Sequence, residues 1–577
     1  VASHPSARLW IAAWALAQGA ALWSLHRAHE SLAPAVLWPL YVLALALPLT
    51  LQLLAAHRGR QLLWALAGAL CLTLAAAAAY VGHQVVDDQR GAAQGWSLAL
   101  LAACWFVLLP FIEQRLATRH WARDYAQLFA ASWRHAFQLQ VAALFALLFW
   151  ALLMLLAALF KVLGVTLFAT LFGSRTFIYL ATPLAFGAGL ALFATREEAL
   201  EGFWRTLLHA LGSLLPLACL IALLFALALP VRGLAPLWAT GRASVLMLGL
   251  MAWIVFLFNV AWSDGTVQGQ RFGPLLRRLV EAGLLSLPLY ALLCAYALGL
   301  RVAQHGWSVD RVWAALAVLL MAVYALGYAA AAVLPRRGAP WMALTRRVNV
   351  AAALLGVALA LLTCTPLLEP ARIAVASQLA RLAAQRIEPD AFDYHYLRWD
   401  AGRAGHAALE RLSREQEHPQ AAQIRLQAQR TLAATSRYLS ADLAPGDEWT
   451  PERLRAHLRP HPQGTAPDAG WLAFALVALE GRTLTLDCTE EAPCPLLSID
   501  MDGDGQPEQV LLDGHASPVF TREGGHWREA GRLHGRNAGR LHGGVGGASL
   551  EQGVRTQAPR WHDLLIGGER YSVRASD

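Results

Sequence analysis

Long uninterrupted apolar runs dominate this chain, and they fix its solvent before anything else is known. A hydrocarbon core of about 30 Å is crossed by about 20 apolar residues in helical form. Each backbone polar group left unpaired in that core costs several kcal/mol, so a helix must satisfy its own N–H and C=O groups. Runs of suitable length lie at 9–25, 35–56, 61–81, 96–112, 138–160, 176–193, 206–229, 243–262, 279–300, 312–334 and 349–367. The pattern predicts a polytopic α-helical membrane protein with about 11 transmembrane helices. The run at 9–25 is short, follows Arg8 and contains Ala17, Gly19 and Ala20, so a cleaved signal peptide is its competing reading. The stretch 162–172 is too short to cross and is expected to lie in the interface or re-enter.

Charge divides the chain at the end of the last run. Residues 1–368 hold 24 Arg/Lys and 11 Asp/Glu, whereas 369–577 hold 23 and 28. The expected organisation is therefore a transmembrane domain over 1–368, a juxtamembrane helical stalk over 369–440 and a water-exposed mixed α/β domain over 441–577. With 57% hydrophobic and 15% charged residues, the composition excludes a disordered chain and an ordinary soluble enzyme.

Orientation follows from the arginines, because positively charged loops stay on the cytoplasmic side. With the N-terminus inside, the inner segments carry 16 Arg/Lys and the outer loops 8. An odd number of crossings then puts the C-terminal domain outside, which in a Gram-negative cell is the periplasm. Cysteines give an independent indication. Cys71, Cys104, Cys219, Cys294 and Cys364 fall in apolar runs, where a thiol acts as a small apolar side chain. Cys488 and Cys494 stand alone in the exposed region, and such a pair in an oxidising compartment reads as a disulfide. Two unpaired thiols or half of a zinc site is the alternative.

Beyond the last run, 369–387 has helical apolar spacing, and 407–412, 421–439 and 451–458 have helix-forming composition. Short β-branched or apolar runs at 483–486, 509–512, 517–521 and 571–573, separated by Gly-rich turns, read as strands. Between the first two lies the most specific local motif, Asp500-Met501-Asp502-Gly503-Asp504-Gly505-Gln506-Pro507-Glu508. Carboxylates at alternate positions repel one another unless a hard cation sits among them. Gly505 allows a sharp turn, Gln506 can offer a carbonyl and Glu508 can complete an oxygen shell, so structural Ca²⁺ is expected, with a merely solvated acidic turn as the alternative. The spacing resembles the loop of integrin-type FG-GAP repeats. It departs from an EF-hand at Leu511, where a bidentate Glu would be needed, which predicts a β-hairpin setting. Two copies of Gly-Arg-Leu-His-Gly, at 531–535 and 539–543, read as a flexible loop.

The polytopic region, the segment 393–403 (DYHYLRWDAGR), the terminal DxDGDG loop and the look of the spans 152–164 and 287–328 together resemble a bacterial inner-membrane family known as domain of unknown function 4153. The resemblance implies this architecture and carries over no activity, substrate or catalytic residue. Read from the residues alone, Tyr394, Tyr396, Arg398, Trp399 and Arg403 suit a headgroup interface or a partner's polar surface. They serve either as a stalk anchor, with the arginines paired to Asp393 and Asp400, or as a binding site for an anionic envelope lipid or glycan.

Function is less constrained. Intramembrane polar groups are mainly Gln52, Gln140 and Asn259, with Glu113, Lys161, His209, Asp264 and Glu281 near span ends. Deep ionisable groups usually mark a transport path, so an ion-coupled carrier is disfavoured. A transporter or flippase of lipid-linked or small envelope substrates stays open as one alternative. A membrane-embedded glycan or lipid transferase is the other; it would need an acid or base beside the membrane, for which Asp87 and Asp88 near His83 are the weak candidates. The net charge of +8 is explained by cytoplasmic loops and does not point to nucleic acid. The expectation is a non-catalytic cell-envelope or partner-binding component, its partners being the bilayer and an envelope protein, lipid or glycan.

Overall fold

The computed structural model describes residues 4–86, 92–121, 124–193, 197–233, 243–263, 272–334, 341–433, 449–461, 465–480, 484, 486, 488, 493–512, 517–523, 525–532, 564–566 and 569–571. It divides into two compact units, Val1–Ala433 and Ala434–Asp577.

Helices α1 (His4–Ala28), α2 (Pro34–Leu53), α3 (Gln61–His83), α4 (Ala92–Thr118), α5 (Tyr125–Val162), α6 (Leu167–Gly173), α7 (Arg175–Phe193), α8 (Glu197–Gly212), α9 (Leu215–Arg232), α10 (Ala243–Trp262), α11 (Pro274–His305), α12 (Val309–Val333) and α13 (Thr345–Thr363) form the first part of unit one. Among the described residues, 10 stretches are long and apolar enough to cross a membrane, and they coincide with the runs read from sequence after the first. The chain is a multi-pass membrane protein. Helix α1 covers the first run with 25 residues but is not among those ten. Many leucines of the spans, such as Leu147, Leu152, Leu155 and Leu159 on α5, point outward and are exposed, as a lipid-facing surface requires.

Polar side chains and glycines set the helix boundaries. The Asp124 carboxylate accepts the Ala126 N–H at 3.2 Å and so starts α5 well before the apolar run begins. At 38 residues, α5 is about 57 Å long, nearly twice the hydrocarbon thickness, so its first turns project beyond lipid. Gly306, at φ 72°, ends α11, and a Cβ there would lie 2.6 Å from Arg381 Cδ. Close helix approach needs small residues too. A Cβ on Gly283 of α11 would come within 2.4 Å of Cys219 Cβ on α9.

Helices α14 (Pro370–Ala383), α15 (Tyr394–Trp399), α16 (Gly402–Leu412) and α17 (Ala421–Ala433) occupy the region read as a stalk. They share a core of Leu382, Phe392, Leu397, Leu409 and Ile424 and pack back on the ends of the spans. Gln378 donates to Trp307 O at 2.8 Å, Arg381 to Gln304 O at 2.7 Å, and the Arg403 backbone N–H to Gln84 O at 3.2 Å. The C-terminal ends of α3, α11 and α13 therefore open to one side of the bundle, and this helical cap covers it.

Unit two is built on a five-stranded sheet of order β1-β2-β3-β4-β5. Its strands are β1 (Leu458–His461), β2 (Cys494–Ile499), β3 (Glu508–Leu511), β4 (Pro518–Glu523) and β5 (His526–Arg532), while β6 (Leu564–Ile566) and β7 (Glu569–Tyr571) pair separately. The β1–β2 pair is parallel and the rest are antiparallel. Among the described residues, the unit also contains helices α18 (Pro451–Ala456) and α19 (Ala469–Glu480). The fully buried Trp471 of α19 meets Phe520 edge-on, with ring centroids 5.8 Å apart, and anchors the core. Asp468 fixes the start of α19 by accepting Trp471 N–H at 2.8 Å and Trp527 Nε1–H at 3.2 Å.

Candidate metal centre

The acidic motif is the connection between β2 and β3, an antiparallel hairpin in which Ile499 pairs with Glu508, so the expected setting is found. Backbone N–H groups shape the turn. The Asp500 carboxylate accepts from Gly503 N at 2.7 Å and from Gly505 N at 3.0 Å, Asp502 from Asp504 N at 3.1 Å, and Asp504 from Gln506 N at 2.7 Å. Both Gly503 (φ 83°) and Gly505 (φ 84°) take left-handed conformations that a side chain would strain. The sequence reading assigned that role to Gly505 alone.

This folding draws Asp500, Asp502 and Asp504 together, so that one carboxylate oxygen from each lies within 4.8 Å of the others. Three negative groups at that separation repel, and a cation among them removes the repulsion. The cluster could hold a metal ion, and an all-oxygen donor set on an exposed hairpin is the chemistry of a hard divalent cation. Glu508 is 4% exposed, and its carboxylate accepts Met501 N–H at 2.7 Å and the Thr521 hydroxyl at 3.3 Å. Cys488 and Cys494 lie at disulfide distance, with Cα atoms 5.4 Å apart, and Cys494 begins the strand that leads into the motif.

The segment 393–403 builds part of the cap. Asp393 accepts Tyr396 N–H at 2.8 Å and starts α15. Tyr394 and Arg398 are buried, Tyr396 and Trp399 half-buried, and Arg403 exposed. The Arg398 guanidinium lies 4.9 Å from the Trp399 ring centroid, and its Nη1 lies 3.3 Å from His406 Nδ1. Burial pushes the Tyr394 and Tyr396 hydroxyls up to about 12, from an ordinary value of 10.0. Their raised values favour folding while both states are neutral, and that contribution is lost as pH rises from 10 towards 12. The full chain in detergent is expected to lose melting temperature over that window, and Tyr394→Phe with Tyr396→Phe to flatten the loss. An unchanged slope would contradict this.

Asp87, Asp88 and Asp264 lie outside the described residues, as do both histidines of the repeated GRLHG motif. Sequence reasoning singled out Asn259 without finding its partners. Asn259 Nδ2 donates to the Tyr328 hydroxyl at 2.8 Å, Tyr328 donates to Asn349 Oδ1 at 2.6 Å, and Asn349 Nδ2 returns to Asn259 Oδ1 at 2.5 Å. Tyr125 adds a fourth bond, to Asn259 Oδ1 at 3.1 Å. This ring joins α10, α12 and α13, with α5 attached. Interhelical bonds of this kind contribute about 0.6 kcal/mol on average and up to roughly 1.7. Tyr328→Phe, which deletes two of them, should therefore lower the melting temperature of the full chain measurably while keeping the fold; an unaltered melt would remove the ring as a stabilising element.

Sequence also missed the group at the projecting end of α5. Glu113 Oε2 lies 2.9 Å from His135 Nε2 and forms an ion pair with Arg134. The signal was present in the spacing of Asp124 ahead of Tyr125, which extends the helix back to include both residues. No family model, curated protein or solved structure matches this chain.

Proposed function

We propose that this chain is a bacterial inner-membrane protein with eleven traverses, its N-terminus cytoplasmic and its C-terminal unit periplasmic. In this reading it is a non-catalytic envelope component that holds a protein, lipid or glycan partner without transforming it. The observation that carries the reading is the Cys488–Cys494 pair, with Cα atoms 5.4 Å apart in the unit that follows the last span. A disulfide persists where oxidants prevail, which is the outer side of that membrane.

Helix α1 supports the count. One end meets the α2–α3 turn, where Arg58 donates to Ser6, and the other meets the start of α7, where Trp23 Nε1 donates to Thr176 Oγ1 at 3.1 Å. Gly19 packs against the Tyr179 and Leu180 backbone between those ends, and Gly187 packs against Ala15. Helix α1 thus runs antiparallel to a spanning helix over its depth, with the buried Gln18 bonded to Gln52 Nε2 at 3.4 Å. The resemblance to the inner-membrane family fits the same architecture.

We further propose Ca²⁺ as the ion of the hairpin, with the Gln506 carbonyl and Glu508 completing the shell around the three aspartates. A carboxylate has lone pairs left after two hydrogen bonds. The role is structural, stiffening the sheet that presents the unit to its partner. Proteoliposomes carrying the full chain and a fluorescent phospholipid test the non-transporting part of the proposal. Scrambling no faster than in protein-free vesicles is expected, and fast scrambling would favour a flippase.

A further inference from the structure

Where the helical cap meets the span ends, unit one contains a cavity of about 400 Å³. Tyr80 and Gln84 contribute from the end of α3, Pro366 from just beyond α13, and Val375 and Leu379 from α14. Three arginines, Arg372, Arg403 and Arg411, are among its lining residues, with one acidic residue, Glu369. Glu369 is buried and accepts the Tyr80 hydroxyl at 2.5 Å. Arg372 gives one bond to Pro366 O at 3.4 Å and Arg403 one to His83 O at 3.1 Å. Each guanidinium has five donors, so one bond fixes its position without exhausting the fork. The lining is thus apolar along α14 and α16, with arginines from both helices beside it, next to the C-terminal ends of α3 and α13.

We propose that this cavity binds a phosphate-bearing amphiphile, the phosphate held by Arg372, Arg403 and Arg411 and the first carbons of its chain lying against Val375 and Leu379. Guanidinium suits phosphate because its planar fork matches two oxygens at once, and the adjoining apolar wall gives a soluble anion no advantage. The inference rests on reading α3 and α13 as spans, and it is independent of which side of the membrane the cap faces.

The test uses the full chain in neutral detergent, with retained ligand counted by native mass spectrometry. Phosphatidylglycerol, diacylglycerol of the same chains, and glycerol 3-phosphate are titrated separately. Phosphatidylglycerol is expected to bind best. Arg372→Gln with Arg411→Gln, both exposed positions, should weaken it about fivefold per arginine, on the order of 25-fold for the pair. Arg386→Gln with Arg414→Gln, exposed on the same cap but outside the cavity, should bind as the parent does. Equal binding of the two lipids, an unaffected Arg372/Arg411 variant, or equal weakening by the control would overturn the proposal. Equal binding of glycerol 3-phosphate would overturn the amphiphile assignment in favour of soluble phosphate. Detergent has no sidedness, so failure here is separable from failure of the periplasmic reading.

Discussion

Asp502→Asn combined with Asp504→Asn is expected to erase the calcium-dependent part of the stability of the C-terminal unit. The size follows from linkage: an ion that binds only the folded hairpin adds about 2.7 kcal/mol when its free concentration is about 100 times Kd. The sign without calcium is the sharper result. Asn keeps an oxygen that can accept the Asp504 and Gln506 N–H bonds, so the turn survives while two of three mutually repelling charges are gone. The variant should therefore match or slightly exceed the parent in chelator and fall below it in calcium. Hydrogen exchange of the β2 and β3 amides in the full chain reads both states. A parent hairpin whose exchange ignores calcium would remove the metal from the account. Asp500→Asn is a poorer choice, because Asp500 supports the turn through both Gly503 and Gly505.

Reduction of the Cys488–Cys494 pair, or its replacement by Cys488→Ser with Cys494→Ser, should cost about 2 kcal/mol on the chain-entropy model for so short a loop. Both cysteines are buried. Cys494 N–H also donates to His457 O at 3.0 Å and the residue pairs with Leu458, so the bridge pins one end of β2 to the sheet. The loss should appear as faster exchange in β1 and β2, with the spans unaffected. Identical exchange with and without reductant would mean that the pair carries no constraint.

How much of this was legible depends on how far each interaction reaches along the chain. Spans are local: twenty residues decide whether a helix can cross, so ten of the predicted runs reappear among the described residues as helical stretches long and apolar enough to do so. The acidic turn is local too, since the backbone N–H bonds that shape it connect residues within 500–508. The polar ring is not. Asn259 finds partners 69 and 90 residues away in sequence, and Tyr328 and Asn349 carry nothing in their own neighbourhoods to say so. Strand β1 was missed because four residues containing Pro460 have little intrinsic preference, and their parallel pairing with β2 comes from tertiary context. Helix α19 was missed although Asp468 supplies a start signal ahead of a continuous apolar run. The cavity under the cap needed the folded cap, because Arg372 lies on α14 while Arg403 and Arg411 lie on α16.

The side of the membrane on which unit two emerges is the claim that joins the cysteine pair to the proposed odd crossing number and the proposed envelope role. Alkaline phosphatase and green fluorescent protein fused separately after Asp577 test it directly in cells. The account predicts an active phosphatase and a dark fluorescent fusion, and an inactive phosphatase with a bright fluorescent fusion would contradict it.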